Sequence, residues 1–582
     1  MKQSLPHRSI ERPLPYLPSE IPLRSDWIGF VNPAGKRIAA YYDHLTASTP
    51  SKGFIIIVAG YGKTKTAHLP LAYYLALNGF EVLRYDHTQH VGESEGGMRF
   101  TTLTQMRADL HAAIDFVERE FSPSRLALVS SSLGVRVALR QASEDRRVKL
   151  LISLIGVFNL QGTLSAIYRE DGVKKVLDGT SVGVRDILGF QIDADHFLRD
   201  AIQGNLHTLQ TSLDDAGRVR TPCVLFAAEK DPWVSLNEVR LVYDEIPTHL
   251  KEIHLLPNAM HELYENPAAA ESACRAIVAC AEKYLVGTKP QWYEIRTPGK
   301  GLIRRRLQQE KEKLRSGRRL DLGEEQGFWK KYLEKYAYIV NLQDYWNLLD
   351  FLNQLLGDWT RGGKILDAGC GIGNLGTFIL VRQLYHVMQG QAMVLPGRPL
   401  VRYFGVDFVE EAIRRAATTH TEVQEEFKRK MGFGQDGPDV VRYSYSVLDL
   451  NRSLPFASHS FDKICCNLVL SYVSDPLCAT KELFRTLKIG GRIVITSLKP
   501  YADLSQIYRD FIQVSRTSEE LEQARVVLNN AGMIKHKEAE GYYQFFSEAE
   551  LHDLLAEAGA KNIQTFRSFG DQANVAVADR SP

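Results

Sequence analysis

No apolar run in this 582-residue chain approaches the roughly 20 residues that a bilayer-spanning helix needs, so stable membrane insertion has no segment to carry it. Charge of one sign is also missing. Lys and Arg number 71 against 69 Asp and Glu, a formal +2, which gives the whole chain no electrostatic reason to bind nucleic acid. Cysteine is sparse and irregular: Cys223, Cys274, Cys280, Cys370, Cys465, Cys466 and Cys478 form no C-x-x-C pair and no zinc-finger spacing. That set excludes a disulfide framework, predicts no metal, and reads as reduced core thiols of a cytoplasmic protein. The opening stretch MKQSLPHRSIERPLPYLPSEIPL is broken by proline and polar residues where a signal peptide has an apolar core. No internal repeat is present.

What remains is a globular composition, 44% hydrophobic and 24% charged, in a chain long enough for two or three domains. From about Arg24 to Val286, short apolar runs (GFIIIVAG, FEVLRYD, RLALVSS, KLLISLIGV, PCVLFAAE, KEIHLLP) alternate with amphipathic stretches. Continuous apolar strands separated by helices predict a mostly parallel sheet covered on both faces. A second alternation begins at KILDAGCG and ends with KNIQTFRSF and NVAVADR, a second doubly wound sheet closed by a hairpin strand. The expected fold class is therefore α/β, with two doubly wound α/β domains. The expected boundaries are an N-terminal extension (1–24), a first domain (25–288), a charged linker (289–327) and a second domain with a helical lead-in (328–582). The basic cluster Arg304, Arg305, Arg306, Arg318 and Arg319 lacks interleaved aromatics, so a solvated linker helix is expected there rather than a phosphate grip.

In the first domain, Ser130-Ser131-Ser132-Leu133-Gly134 follows a strand and opens a helix. A nucleophile on such a turn needs small residues two positions either side, the steric basis of G-x-S-x-G. Here the pattern is small-x-Ser-x-small centred on Ser132, with serine in place of the first glycine. Asp231 follows a buried strand in PCVLFAAEKDPWV, and His261 lies in a loop after the next strand. This is the hydrolase order of nucleophile, acid and base. His261 would take the proton of Ser132, with Asp231 orienting the imidazole. The backbone N–H groups of Tyr61, in the glycine turn IIIVAGYG, and of Leu133 would form an oxyanion hole.

RYDHTQHVGESEG, SSLGVRVA, LISLIGVFNLQGTL, EKDPWV and MHELYEN resemble the LuxD-type acyl transferases of bacterial luminescence operons, over most of residues 25–285. The resemblance implies an α/β-hydrolase fold, release or transfer of fatty acyl groups from acyl carrier protein, and the roles given above for Ser132, Asp231 and His261; the pairing with a second domain adds a coenzyme A thioester as an alternative donor. That family likewise lacks the first glycine. Gly134 is a departure, because a small polar residue is usual there, and chain-length preference is not carried over.

In the second domain, ILDAGCGIGNLG is a strand, a D-x-G-x-G-x-G loop and a helix start. Glycines there let the backbone approach a nucleotide-like ligand at a helix N-terminus. The positions Asp367, Gly369, Gly371 and Gly373 do not match a dinucleotide fingerprint. They resemble the first motif of class I S-adenosyl-L-methionine-dependent methyltransferases, and the resemblance extends over roughly 340–580. It implies a Rossmann-like fold and this cofactor. Asp407 would accept the ribose hydroxyls, Asp449 would hydrogen-bond the adenine amino group, Leu450 would join the cofactor site beside it, and Asn467 would close the fourth strand. Tyr338, Tyr345, Tyr472, His536 and Tyr543 are candidates to line the acceptor pocket, with packing as the alternative for each. No general base stands out, which suits a carboxylate or thiolate acceptor. NLVL lacks the N/D-P-P-Y/F pattern of base-modifying enzymes, so a small-molecule acceptor is expected rather than nucleic acid.

The combined expectation is a bifunctional enzyme of lipid or secondary-metabolite synthesis, pairing a serine acyl transferase or thioesterase with a methyltransferase. A methyl ester of the released acyl group is the sharpest version. The alternative is that one half only binds an acyl group, a carrier protein or the methyl donor.

Overall fold

The computed structural model describes residues 23–46, 50–316, 322–357, 359, 362–394, 398–432, 439–515 and 517–581. The N-terminal extension lies outside them except for its last two residues. The chain divides into two compact units, Met1–Gly317 with Gly532–Gly541, and Arg318–Ala531 with Tyr542–Pro582.

Among the described residues, the first unit is built on ten strands: β1 (Leu23–Val31), β2 (Arg37–Leu45), β3 (Phe54–Val58), β4 (Glu81–Tyr85), β5 (Leu126–Ser131), β6 (Val148–Leu154), β7 (Val184–Ile187), β8 (Phe190–Asp193), β9 (Cys223–Ala228) and β10 (Lys251–Leu256). Eight form one sheet in the order β1-β2-β4-β3-β5-β6-β9-β10. β1 and β2 are antiparallel and the strands from β4 to β10 are parallel. β3 and β9 are buried at every residue, as strands covered on both faces must be. The apolar runs noted in the sequence correspond to the six parallel strands. β1 and β2 were not among them; their signal is the N-P-A-G turn at 32–35 between two alternating stretches. β7 and β8 form a separate hairpin between β6 and β9.

The charged segment expected to be a solvated linker helix departs from that expectation. The helix Lys300–Ser316 lies in the first unit and carries Leu302, Arg306 and Glu310 at spacings of four, on one face. Leu302 packs with Leu69 and Tyr73. Arg306 and Glu310 are buried, and Glu310 accepts hydrogen bonds from Arg84 Nη2 (2.6 Å), Thr66 Oγ1 (2.8 Å) and Arg306 Nε (3.3 Å). Sequence locality hides this, because Arg84 lies more than 220 residues away. Arg304 and Arg305 are exposed, and Arg318 and Arg319 fall outside the described residues.

Among its described residues the second unit has seven strands: β11 (Gly363–Ala368), β12 (Val401–Asp407), β13 (Val441–Val447), β14 (Phe461–Cys466), β15 (Leu487–Leu498), β16 (Lys561–Ser568) and β17 (Ala573–Asp579). They follow the order β13-β12-β11-β14-β15-β17-β16, with β17 antiparallel to both neighbours. The strand order reverses at β11, where β12 lies on one side and β14 on the other. This switch point puts the strand ends around β11 at the crevice where α/β sheets bind ligands. Among the described residues, no helix is long and apolar enough to cross a membrane.

Candidate active sites

The turn after β5 holds Ser132 at φ +49°, a left-handed conformation that costs a non-glycine residue free energy. Crowding accounts for the residues around it. A Cβ on Gly134 would stand 2.6 Å from the carbonyl oxygen of Ala59, so the helix Gly134–Glu144 can lie against β3 only with glycine there. At the position two before Ser132, Ser130 is buried, and its hydroxyl reaches the Ile152 carbonyl at 3.4 Å. Serine thus fits the small site and finds a partner for its polar group.

The three consecutive serines have three different partners. Ser131 Oγ lies 2.7 Å from His68 Nε2. Ser132 Oγ lies 2.8 Å from His261 Nε2, and His261 Nδ1 lies 2.7 Å from Asp231 Oδ2. Asp231 Oδ1 accepts the backbone N–H groups of Trp233 (2.8 Å) and Val234 (3.1 Å), which fixes the carboxylate. Its side chain is 3% exposed against 20% for His261, so the carboxylate is sealed while the imidazole is partly exposed. Burial pushes the other imidazole, His68, down to about 4, so it stays neutral.

The loop after β3 passes over this turn. A Cβ on Gly60 would lie 2.8 Å from Ser132 Cβ. The Gly62 N–H donates to His90 Nε2 at 3.2 Å, and the Tyr61 hydroxyl donates to the Ile187 carbonyl at 3.0 Å, which ties the loop to the β7–β8 hairpin. Among the described residues, the backbone N–H groups of Tyr61 and Leu133 have no hydrogen-bond acceptor. Unpaired N–H groups beside a poised hydroxyl are the donors an oxyanion requires. Glu262, next to His261, pairs with Lys63 and lies 3.4 Å from Lys535. Burial alone would raise this carboxyl, but the two lysines hold it near 2. His68, His90, Lys63 and Glu262 were not singled out in the sequence, and no local pattern marks them.

In the second unit, Asp367 is the last residue but one of β11, Asp407 ends β12, Asp449 lies two residues beyond β13 and Asn467 one beyond β14. They therefore stand on one rim of four adjacent strands. Gly369, Gly371 and Gly373 all have positive φ (+78°, +54° and +84°). A Cβ on Gly369 would meet Val469 at 2.4 Å, and one on Gly373 would meet His420 at 2.7 Å. The Gly371 N–H donates to Asp407 Oδ2 at 2.9 Å and the Val409 N–H to Asp407 Oδ1 at 3.0 Å, so the loop and the carboxylate orient each other. Asp449 accepts from Asn451, and Asn467 Oδ1 accepts from Thr496 Oγ1 at 2.7 Å. Leu450 is half-buried against the core.

Beneath the loop, His420 lies 2.8 Å from the Gly373 carbonyl through Nε2 and contacts the Tyr445 hydroxyl through Nδ1. Burial lowers His420 to about 4. The neutral ring therefore donates from Nε2 and accepts at Nδ1. Tyr403 donates to Asp367 Oδ2 at 2.5 Å. Burial raises Asp367 to about 7; Tyr403 works against this and nearby Asp407 adds to it.

Of the acceptor candidates, Tyr345 receives the Asn374 amide at 3.3 Å. Tyr472 and Tyr543 pack with Trp329 at centroid distances of 4.6 and 5.9 Å. Tyr543 also donates to Glu325 Oε2 at 3.0 Å. Tyr338 is half-buried. His536 lies in the first unit, its ring 4.8 Å from that of Phe190.

The strand order of the first sheet, with a positive-φ serine on the strand-to-helix turn after β5, defines an α/β-hydrolase fold; the second sheet is that of a class I methyltransferase. Comparison with known proteins agrees. Residues 42–283 match the acyl transferase family model and residues 338–565 match a methyltransferase domain model. An acyl transferase of Photobacterium phosphoreum is 28% identical over 227 residues, covering 39% of this chain and 74% of that protein. One from Photorhabdus luminescens is 29% identical over 234 residues, covering 40% and 75%. Among solved structures, the esterase domain of a Rhodothermus marinus protein is 25% identical, with a TM-score of 0.34, covering 45% of this chain and 98% of that one.

Proposed function

We propose that the chain is a bifunctional enzyme: a serine acyl transferase or thioesterase acting on acyl thioesters, and an S-adenosylmethionine-dependent methyltransferase acting on a small acceptor. The observation that carries the first activity is the Ser132–His261–Asp231 relay at 2.8 and 2.7 Å beside two unpaired N–H groups. Ser132 Oγ attacks the thioester carbonyl carbon while its proton passes to His261 Nε2. The charge that develops on the carbonyl oxygen is met by the N–H groups of Tyr61 and Leu133. Collapse of the tetrahedral species breaks the C–S bond, and the departing sulfur takes the proton from His261. Water or another nucleophile then attacks acyl-Ser132, giving its proton to His261, and Ser132 recovers a proton as it leaves. Asp231 holds the imidazole tautomer throughout.

In the second unit, the loop of Gly369, Gly371 and Gly373, with Asp367, Asp407, Asp449, Leu450 and Asn467, would hold the methyl donor. The residues fit it: positive-φ glycines leave backbone open at a helix N-terminus, and a carboxylate ends the adjacent strand. The cofactor supplies an electrophilic methyl group, so the chain needs only to align an acceptor and exclude water. The sharpest form of the proposal is methylation of the carboxylate released by the first unit. Seven unpaired cysteines support a reducing, cytoplasmic setting.

The test is intact-protein mass spectrometry after brief exposure to acyl thioesters on coenzyme A and on acyl carrier protein. An adduct absent from Ser132→Ala supports the acyl-serine step and reports the preferred chain. No adduct and no thioester consumption across the panel would reduce the first unit to a binding module. Labelled ester formed from thioester and methyl-labelled cofactor would couple the halves, and its absence would remove the coupling.

A further inference from the structure

No metal is expected from the sequence, whose cysteines lack pairing and zinc-finger spacing. The structure nevertheless gathers three donors of different type in the first unit, away from the Ser132 relay. Glu252 and His254 lie two residues apart on β10 and so share one face of the strand. Cys280 comes from the helix Pro267–Ala281, and its thiol is buried. His254 Nε2 lies 2.8 Å from Glu252 Oε2 and 3.9 Å from Cys280 Sγ, and all three donor atoms lie within 4.8 Å of one another.

We propose that Glu252, His254 and Cys280 form a binding site for a borderline divalent cation, zinc in particular, with water in the fourth position. A tetrahedral zinc with bonds of about 2.3 Å to sulfur and about 2.0–2.1 Å to nitrogen and oxygen holds its donors about 3.3–3.6 Å apart. The observed separations reach that range with shifts on the order of an ångström, within the freedom of side chains. Thiolate, imidazole and carboxylate together suit zinc and not magnesium or calcium, which take oxygen donors. The surroundings are those of an outer shell. The second oxygen of Glu252 accepts the Tyr284 hydroxyl at 2.6 Å and contacts the Lys283 ammonium, which leaves Oε2 as the ligand. The His254 ring stacks on Phe226, with centroids 4.7 Å apart and planes 14° apart, which restricts its rotation. Lys283 is 39% exposed and can turn to solvent as a cation arrives.

Binding would cost the Cys280 thiol its proton, released to water, and would break the His254–Glu252 contact. The gain is a clamp between the outermost strand of the eight-stranded sheet and the helix that follows it. β10 ends at Leu256, five residues before His261, so the clamp would also stiffen the segment that delivers the catalytic imidazole.

The experiment strips the full chain with a chelator and titrates it with cobalt(II), reading the thiolate-to-metal charge-transfer absorption, then displaces the cobalt with zinc. One equivalent with a thiolate band is expected, together with a zinc-dependent rise in Tm. Cys280→Ser should abolish the band, and His254→Gln and Glu252→Gln should weaken binding at least tenfold. Tyr284→Phe, which keeps all three ligands, should weaken it about tenfold through the outer shell. No band in the unaltered chain overturns the proposal. So does a band that survives Cys280→Ser, because another cysteine would then be the ligand. Should Cys280→Ser fail to give a native near-ultraviolet dichroism spectrum, unchanged affinity in both Glu252→Gln and Tyr284→Phe overturns it equally.

Discussion

The Arg84 guanidinium and the Glu310 carboxylate meet 2.6 Å apart inside the first unit, each side chain no more than 1% exposed. Arg84 also grips Asp43 at 2.6 Å, so one cation bridges two buried carboxylates drawn from distant segments. Removing one member of such a set leaves an uncompensated buried charge, which is what makes it costly. Glu310→Ala should therefore destabilise the first unit by about 3 kcal/mol or more. Glu310→Gln, which keeps the shape and part of the hydrogen bonding, should cost less. Urea unfolding followed by near-ultraviolet dichroism measures both, and equal stability of Glu310→Ala and the unaltered chain would contradict the buried arrangement.

The three serines of the β5 turn should behave differently on substitution. Ser132→Ala should remove the acyl adduct. Ser131→Ala should keep it, with a rate within about tenfold of the unaltered chain, because the Ser131 hydroxyl faces His68 and not His261. Ser130→Ala should also keep it, losing only the 3.4 Å contact with Ile152. Loss of the adduct in Ser131→Ala with Ser132→Ala still active would move the nucleophile by one residue.

Asp231→Asn should preserve folding but leave His261 in the wrong tautomer. The expected outcome is a fall in kcat on the order of 10⁴-fold with little change in KM. A change confined to KM would mean that Asp231 positions substrate and not the imidazole.

Asp367 provides a pH test in the second unit. Burial raises its carboxyl to about 7, so it changes charge near neutrality. The methyl donor is cationic at sulfur and at its amino group, so it should bind better once Asp367 is ionised. Calorimetry should show affinity rising as pH increases from 6 to 8, and Asp367→Asn should flatten that rise. The effect on folding has the opposite sign. A carboxyl whose folded pKa lies above its ordinary 3.8 holds its proton more tightly when folded, so its contribution to stability declines as pH rises from about 4 to about 7. A flat affinity profile in the unaltered chain would place Asp367 away from the cofactor.

Much of this architecture was legible before any coordinates. The six parallel strands of the first sheet announce themselves as continuous apolar runs because both faces are covered. The glycines at 369, 371 and 373 answer positive φ within their own loop. The chain order of Ser132, Asp231 and His261 is likewise a property of the linear text. These features are local, so local sequence carries them.

The tertiary structure alone decided which atoms meet. Three adjacent serines look alike in sequence; His68 on Ser131 and His261 on Ser132 distinguish them. A charged helix at 300–316 looks solvated until Arg84 and Thr66 meet its buried Glu310 and the Ser25 carbonyl meets its buried Arg306. Glu252, His254 and Cys280 match no metal spacing, because the helix that carries Cys280 folds back beside β10. Each of these depends on contacts across tens to hundreds of residues, and such contacts are set by how the sheet and its helices pack rather than by any neighbouring residue.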